Sequence, residues 1–316
     1  MPAKVVVLAG GYGGARMAHG FALLGDEVEL TVIGNTADDL QVHGLHVSPD
    51  LDTVMYTLAG LVNPESGWGV RDETWSAAAM LERYGQPTWF GLGDRDLATH
   101  IVRTARLRAG ERLTDITGGL VRALGVTAVL LPMTDERVAT QVRTTDGWLD
   151  FQDYFVRRGH RDEVAEVRFT GAEAARPTPE ALAALATAGL VVIAPSNPFV
   201  SVAPILAVPG MLAAAAGSAA PVVAVSPLVG GAALRGPADR LLRSLGHDRG
   251  AAGVARHYAS RYAGLIDAFV IDDADAAEAG AVAATGISPL VAPAYLRSED
   301  ERRRLARQIL EAAGVG

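Results

Sequence analysis

KVVVLAGGYGGAR, Lys4 to Arg16, decides the fold. A short β-branched run ends in a glycine-rich turn, and the turn opens a stretch that continues as a helix. That is the signature of a buried parallel strand followed by its crossover helix. The run is far shorter than the apolar region of a signal peptide. Outward from it, Glu29–Ile33, Thr127–Pro132, Leu190–Ala194, Val222–Val225 and Ala268–Ile271 repeat the strand pattern, and helical stretches such as Pro179–Ala188 and Pro237–Leu245 separate them. The alternation predicts an α/β protein with a doubly wound, mostly parallel, Rossmann-like sheet. Two regions break the rhythm. Residues 64–123 read as a helical cap over the sheet, and residues 138–170 contain VATQVRTTDGWLDFQDYF, a β-hairpin turning at Asp146-Gly147. No repeat or clean break divides the chain, so residues 1–316 read as a single α/β unit. The last helix, Glu299–Ala313, reads as packing only.

Composition sets the limits. The 316 residues can bury a large core, and 49% apolar with 20% charged residues is ordinary for a globular protein. A net charge of −8 argues against a nucleic-acid partner, which needs a basic face, but leaves room for a local basic pocket. The chain has no cysteine. That removes disulfides, thiolate nucleophiles and cysteine-ligated metal, and it suits a reducing cytoplasm. Met211–Ala233 is long and apolar, but Pro221, Pro227 and its glycines favour a helix, a turn, a strand and a loop over a membrane span. The expectation is a soluble cytoplasmic protein.

In the glycine loop, Gly10, Gly11, Gly13 and Gly14 let backbone approach a phosphate while the helix N-terminus supplies N–H donors. A dinucleotide fingerprint starting at Gly11 would end in glycine, yet Arg16 stands there. An arginine at that place suits a pyrophosphate clamp. The bland reading is a tight turn beside a solvated arginine.

After the second strand, NTADDLQVHGLHVSPDLDT (Asn35 to Thr53) carries Asp38, Asp39, Asp50 and Asp52 beyond strand carboxyl ends, where open α/β sheets place ligands. Such carboxylates suit Mg²⁺, which shares its remaining positions with water and phosphate. Ordinary turn and helix-cap chemistry is the alternative for each of them. His43 and His46 lack the further partners of a zinc site. GLGDRDLATH (Gly91 to His100) sets Asp94, Arg95 and Asp96 either at a solvated helix start capped by Asp96, or in a cap where Arg95 meets an anion or a ring edge. Ser196 and Asn197 in PSNP, and Arg235 in SPLVGGAALRGP, fall on further strand-end loops, where a helix cap is the routine alternative for Ser196 or Asn197.

Taken in order, GGYGGAR, NTADD, HGLHVSPDLDTVMYTLAG, GWGVRDET, FGLGDRDLATHIVRT, PMTDERVATQV, FQDYFVRRG, APSNPFVSVAPILAVPGM and SPLVGGAALRGPADRLL resemble the 2-phospho-L-lactate transferase family of coenzyme F-420 biosynthesis, which includes actinobacterial phosphoenolpyruvate transferases. The likeness spans roughly residues 4–240 and is weaker beyond Leu245; Tyr12 and Arg16 depart from many relatives. It implies attack by the ribityl hydroxyl of the deazaflavin Fo on the phosphorus that carries a three-carbon acid in a guanosine diphosphate ester, with GMP leaving. Whether that acid is lactate, enolpyruvate or glycerate is a matter of side-chain geometry. The resemblance also implies Mg²⁺, a homodimer, and Fo contacts from Asp52 and Arg95, with Asp94 beside them. Transfer at phosphorus needs positioning and charge neutralisation more than a covalent nucleophile. On this reading Asp38, Asp39 and Asp50 support Mg²⁺, and Asp52, with Asp50, serves the attacking hydroxyl. The glycine loop, Arg16, Ser196, Asn197 and Arg235 hold the ester. The rivals are a nucleotide-sugar-binding regulator of the same superfamily, lacking the SPDLDT and GLGDRD pair, and an NAD(P)-dependent oxidoreductase, whose fingerprint Arg16 spoils.

Overall fold

A computed structural model describes residues 1–315. Its strands are β1 (Ala3–Ala9), β2 (Val28–Gly34), β3 (Leu40–Val42), β4 (Leu45–Val47), β5 (Val129–Pro132), β6 (Ala139–Thr144), β7 (Gly147–Asp150), β8 (Glu166–Thr170), β9 (Leu190–Ile193), β10 (Val222–Val225), β11 (Leu228–Val229), β12 (Ala232–Ala233), β13 (Ala268–Ile271) and β14 (Ser288–Val291). Seven of them form one sheet in the order β14-β13-β10-β9-β1-β2-β5, with every pairing parallel. All six strands expected from the sequence lie in it. The seventh, β14, contains Pro289, which hides a strand from pattern reading and is tolerated because β14 is an edge.

The burial of β1 alternates with its pleat. Val5, Val7 and Ala9 enter one core, Val6 and Leu8 the other. The first core is roofed by α1 (Gly11–Ala22), α2 (Pro49–Leu58), α5 (Leu113–Ala123) and α12 (Glu299–Ala312). The region 64–123 also holds α3 (Ser76–Arg83) and α4 (Asp94–Arg108), which add little to either core. The second core is covered by α6 (Pro179–Ala186), α7 (Ala203–Ala207), α8 (Met211–Ala216), α9 (Ala238–Ser244), α10 (Gly250–Arg261) and α11 (Ala279–Ala283). A sheet covered on both faces is the doubly wound arrangement. Across β1 the chain runs through β2 to β5 on one side, and through β9, β10 and β13 to β14 on the other. The change of direction opens a crevice beyond the carboxyl ends of β1 and β9.

The expected hairpin forms with Gly147 at φ +100°, and β8 adds a third antiparallel strand beside β6. A further small hairpin, β3–β4, turns at His43 and Gly44, both with positive φ. No helix among the described residues is long and apolar enough to cross a membrane.

Candidate functional site

A cavity of about 1040 Å³ fills the crevice. The glycine loop, the Asp38 loop, the start of α2, the Pro195 and Ser226 loops, residues between 66 and 100 and the segment 294–297 all contribute to its wall. Gly10, Gly11 and Gly13 lie on the wall, and Gly14 sits behind them against Ala9 and Ser196 Oγ. A Cβ at Gly13 would fall 2.0 Å from the Pro195 carbonyl oxygen, so only glycine lets α1 meet the β9 loop. Ser196 Oγ accepts from Gly10 N (3.1 Å) and donates to Gly10 O (2.8 Å), pinning the two loops together. Asn197 Oδ1 accepts from Phe199 N, as a helix cap does, while its Nδ2 is buried without a partner.

The four aspartates part ways. Asp38 and Asp50 line the cavity, both at least 93% buried. Asn35 Nδ2 donates to Asp50 Oδ2 (2.9 Å), and Asp38 Oδ1 has no partner. Burial, and then the neighbouring Asp50, push the Asp38 carboxyl well above the usual range. Burial likewise pushes Asp50 up to about 6. Asp39 lies off the cavity wall, and its Oδ2 receives His46 Nε2 (2.8 Å) and Ser48 Oγ (2.7 Å). Asp52 reaches the wall but is held by the buried Arg103 in a fork of two hydrogen bonds.

Asp94 and Arg95 stand outside the cavity lining. Asp94 caps α3, accepting from Thr74 Oγ1, Ser76 N and Ala77 N, and Arg95 donates to the Arg71 carbonyl (3.0 Å). A helix does start there, but Glu73, rather than Asp96, accepts its leading N–H groups, from Arg95 (2.7 Å) and Asp96 (3.1 Å). Asp96 instead accepts from Tyr56 OH (2.7 Å) and lies 3.2 Å from His100 Nε2. Arg16 and Arg235 both line the cavity.

Sequence reading missed Arg103, whose burial is invisible in one dimension. Its signal was present: Asp96, His100 and Arg103 recur at helical spacing on one face of α4. It also missed Tyr295 and Arg297, which the C-terminal segment brings to the wall from beyond the region of likeness.

The 2-phospho-L-lactate transferase CofD family model matches residues 5–294. The chain belongs to that family. Phosphoenolpyruvate transferases of Streptomyces griseus and Mycobacterium tuberculosis are 47% and 44% identical to it, over 98% and 99% of both chains. The CofD fold is shared with a crystal structure of a UPF0052 family protein from Bacillus halodurans, at TM-score 0.67 and 17% identity over 98% of this chain and 99% of that one. Membership in the CofD family makes the protein a transferase enzyme with a role in coenzyme F-420 biosynthesis.

Proposed function

We propose that this CofD-family transferase moves a phosphoenolpyruvyl group from enolpyruvyl-diphospho-guanosine to the ribityl hydroxyl of Fo, releasing GMP. The name of the similar proteins, phosphoenolpyruvate transferase, favours enolpyruvate over lactate and disfavours the regulatory reading. The observation that carries the proposal is the cavity itself, which joins the glycine loop, a buried carboxylate pair and arginine side chains at the switch point of the sheet.

The Asp38–Asp50 pair fits a divalent cation. Two buried carboxylates repel one another, and Asp38 Oδ1 is an orphaned acceptor. Among the described residues no cluster of three or more His, Asp or Glu side chains is gathered as a metal cage. A two-carboxylate site is what Mg²⁺ takes when phosphate oxygens and water complete its shell. Bound there, Mg²⁺ would neutralise charge developing on the phosphates. Asp39 lies behind the pair and adds negative potential to it.

The chain's own groups do the rest. The Gly10–Gly14 backbone and α1 N-terminus face the diphosphate, with Ser196 and Asn197 closing the floor. Asp52, fixed by Arg103, orients or deprotonates the attacking hydroxyl, with Asp50 beside it on the cavity wall. Arg95 reaches Fo by leaving the Arg71 carbonyl, with Asp94 holding its loop in place. The same reading treats residues 1–316 as one cytoplasmic unit in which 64–123 caps the site and 138–170 is an insertion, assembled as a homodimer.

Incubation with Fo, Mg²⁺ and, in turn, the enolpyruvyl, lactyl and glyceryl guanosine esters, with products identified by mass, tests the proposal. The enolpyruvyl product and GMP are expected, and neither in excess EDTA. Release of GMP without any Fo adduct would overturn the acceptor assignment, and full turnover in EDTA would overturn the metal site.

A further inference from the structure

Tyr12 follows Gly11, whose φ of +61° turns the glycine loop into α1. Arg16 is four residues on, so both side chains share one helix face. The Arg16 guanidinium carbon stands 4.0 Å from the centre of the Tyr12 ring. Arg235, from the loop between β12 and α9, stands 4.9 Å from the same ring and 5.3 Å from that of Trp68. The hydrogen bonds of both arginines go to main-chain oxygens: Arg16 donates to Leu296 O (2.6 Å), Arg235 to Glu65 O (2.7 Å) and Ser66 O. Neither of those bonds neutralises the guanidinium charge. Two like charges are thus gathered at one ring, and burial with the neighbouring Arg302 and Arg235 makes Arg16 a weaker base than usual. The turn carrying Glu65 and Ser66 fits against the ring with no space to spare. Gly67 has φ +78°, and a Cβ there would fall 2.1 Å from Tyr12 Cε2. Tyr12, Arg16, Ser66, Trp68 and Arg235 all line the cavity.

We propose that Tyr12 is a positioning residue for the ester: its ring gathers Arg16 and Arg235 into an anion clamp and seats the Gly67 turn of the cap against the clamp. Cation–π attraction lets the ring hold two guanidiniums that would otherwise repel each other, while leaving their N–H edges for phosphate oxygens. A carboxylate in the same place would hold them more tightly and cancel the charge the ligand needs. Tyr12 itself donates nothing to the substrate in this scheme. Its hydroxyl is dispensable and its ring is not.

The inference rests on the reading of the cavity as a guanosine diphosphate site, and the test separates the two. GDP is the probe, titrated by calorimetry into the wild-type chain, with Fo titrated in parallel. Tyr12→Ala should weaken GDP about tenfold and leave Fo affinity within about twofold, and Tyr12→Phe should recover most of the loss. Because the ring acts through the arginines, the double variant Tyr12→Ala with Arg235→Ala should lose much less than the sum of the single losses. Full additivity would overturn the positioning role, as would unchanged GDP affinity in Tyr12→Ala or failure of Tyr12→Phe to recover it. Absence of GDP binding in the wild-type chain would instead overturn the ester site itself, and the clamp with it.

Discussion

Asp52 shows how a residue read as pure site chemistry acquires a second role in the fold. In the sequence it sits in a polar stretch with no core assignment. In the structure it is 4% exposed and forked to Arg103, itself 1% exposed. Removing one member of a buried ion pair strands the other charge, at a cost of about 3–5 kcal/mol. Asp52→Ala should therefore abolish transfer and also lower the urea unfolding free energy by about that amount. Replacing both members, Asp52→Leu with Arg103→Met, should recover much of the stability and none of the activity. Loss of transfer in Asp52→Ala without loss of stability would refute the buried pair. Asp50 behaves in the opposite sense. Its carboxyl rises from 3.8 to about 6 on folding, so the folded state binds its proton more tightly than the unfolded chain does. That contribution is complete below the unfolded value and is lost as the pH rises through about 6; two units correspond to about 3 kcal/mol. Metal-free protein should therefore lose stability relative to Asp50→Asn between about pH 4 and pH 7. Added Mg²⁺ should restore it at the upper end, read as melting temperature. A parallel pH course for the two proteins would contradict the assignment.

At the scale of elements, the site depends on how closely α1 approaches the loop after β9. Gly13 permits that approach, and its missing Cβ would otherwise occupy the Pro195 carbonyl. Gly13→Ala should destabilise by about 3 kcal/mol, the upper end of overpacking penalties, because a main-chain oxygen cannot rotate away. It should also lower affinity for the guanosine ester, since the loop can relieve the clash only by leaving the phosphate position. A chemical denaturation midpoint equal to wild type would show that the contact yields. The end of the chain offers a control. Ser298 and Glu301 cap α12 reciprocally, Glu301 N donating to Ser298 Oγ at 3.2 Å and Ser298 N to the Glu301 carboxylate at 2.8 Å. Ser298→Ala should cost about 1 kcal/mol. Because α12 packs on α1 through Gly20, whose absent Cβ would lie 2.5 Å from Arg302 O, weakening it tests how far the glycine loop leans on the C-terminal helix. Unchanged kcat in Ser298→Ala would assign that helix to packing alone, as its sequence suggests.

For the whole molecule, sedimentation equilibrium should return twice the mass of one chain if the homodimer holds, and a single-chain mass would remove it. Period and turn chemistry determined the rest of what was legible. Alternating β-branched runs and alanine-rich helices fix a parallel sheet, because a strand buried on both faces leaves a continuous apolar run that one dimension records. The glycine loop, Asp38, Asp50, Ser196 and Asn197 were legible for a related reason, since loops at strand carboxyl ends must meet at the switch point. Edge and insertion strands were less so. Pro289 interrupts the pattern in β14, and the half-exposed Glu166–Thr170 strand carries charged residues, so neither leaves a continuous apolar run. Partners at long range were not legible at all. That Asp39 faces His46 and Ser48, that Asp94 caps α3, that Arg103 is buried on Asp52, and that Arg235 shares a ring with Arg16 all follow from which surfaces the helices bury. The sequence by itself determined which side chains reach the end of the sheet. Tertiary packing decided which of them keep hydrogen-bonding capacity for a ligand, because a carboxylate turned onto protein donors, as Asp39 is onto His46 and Ser48 and Asp94 onto the start of α3, has less left to offer one.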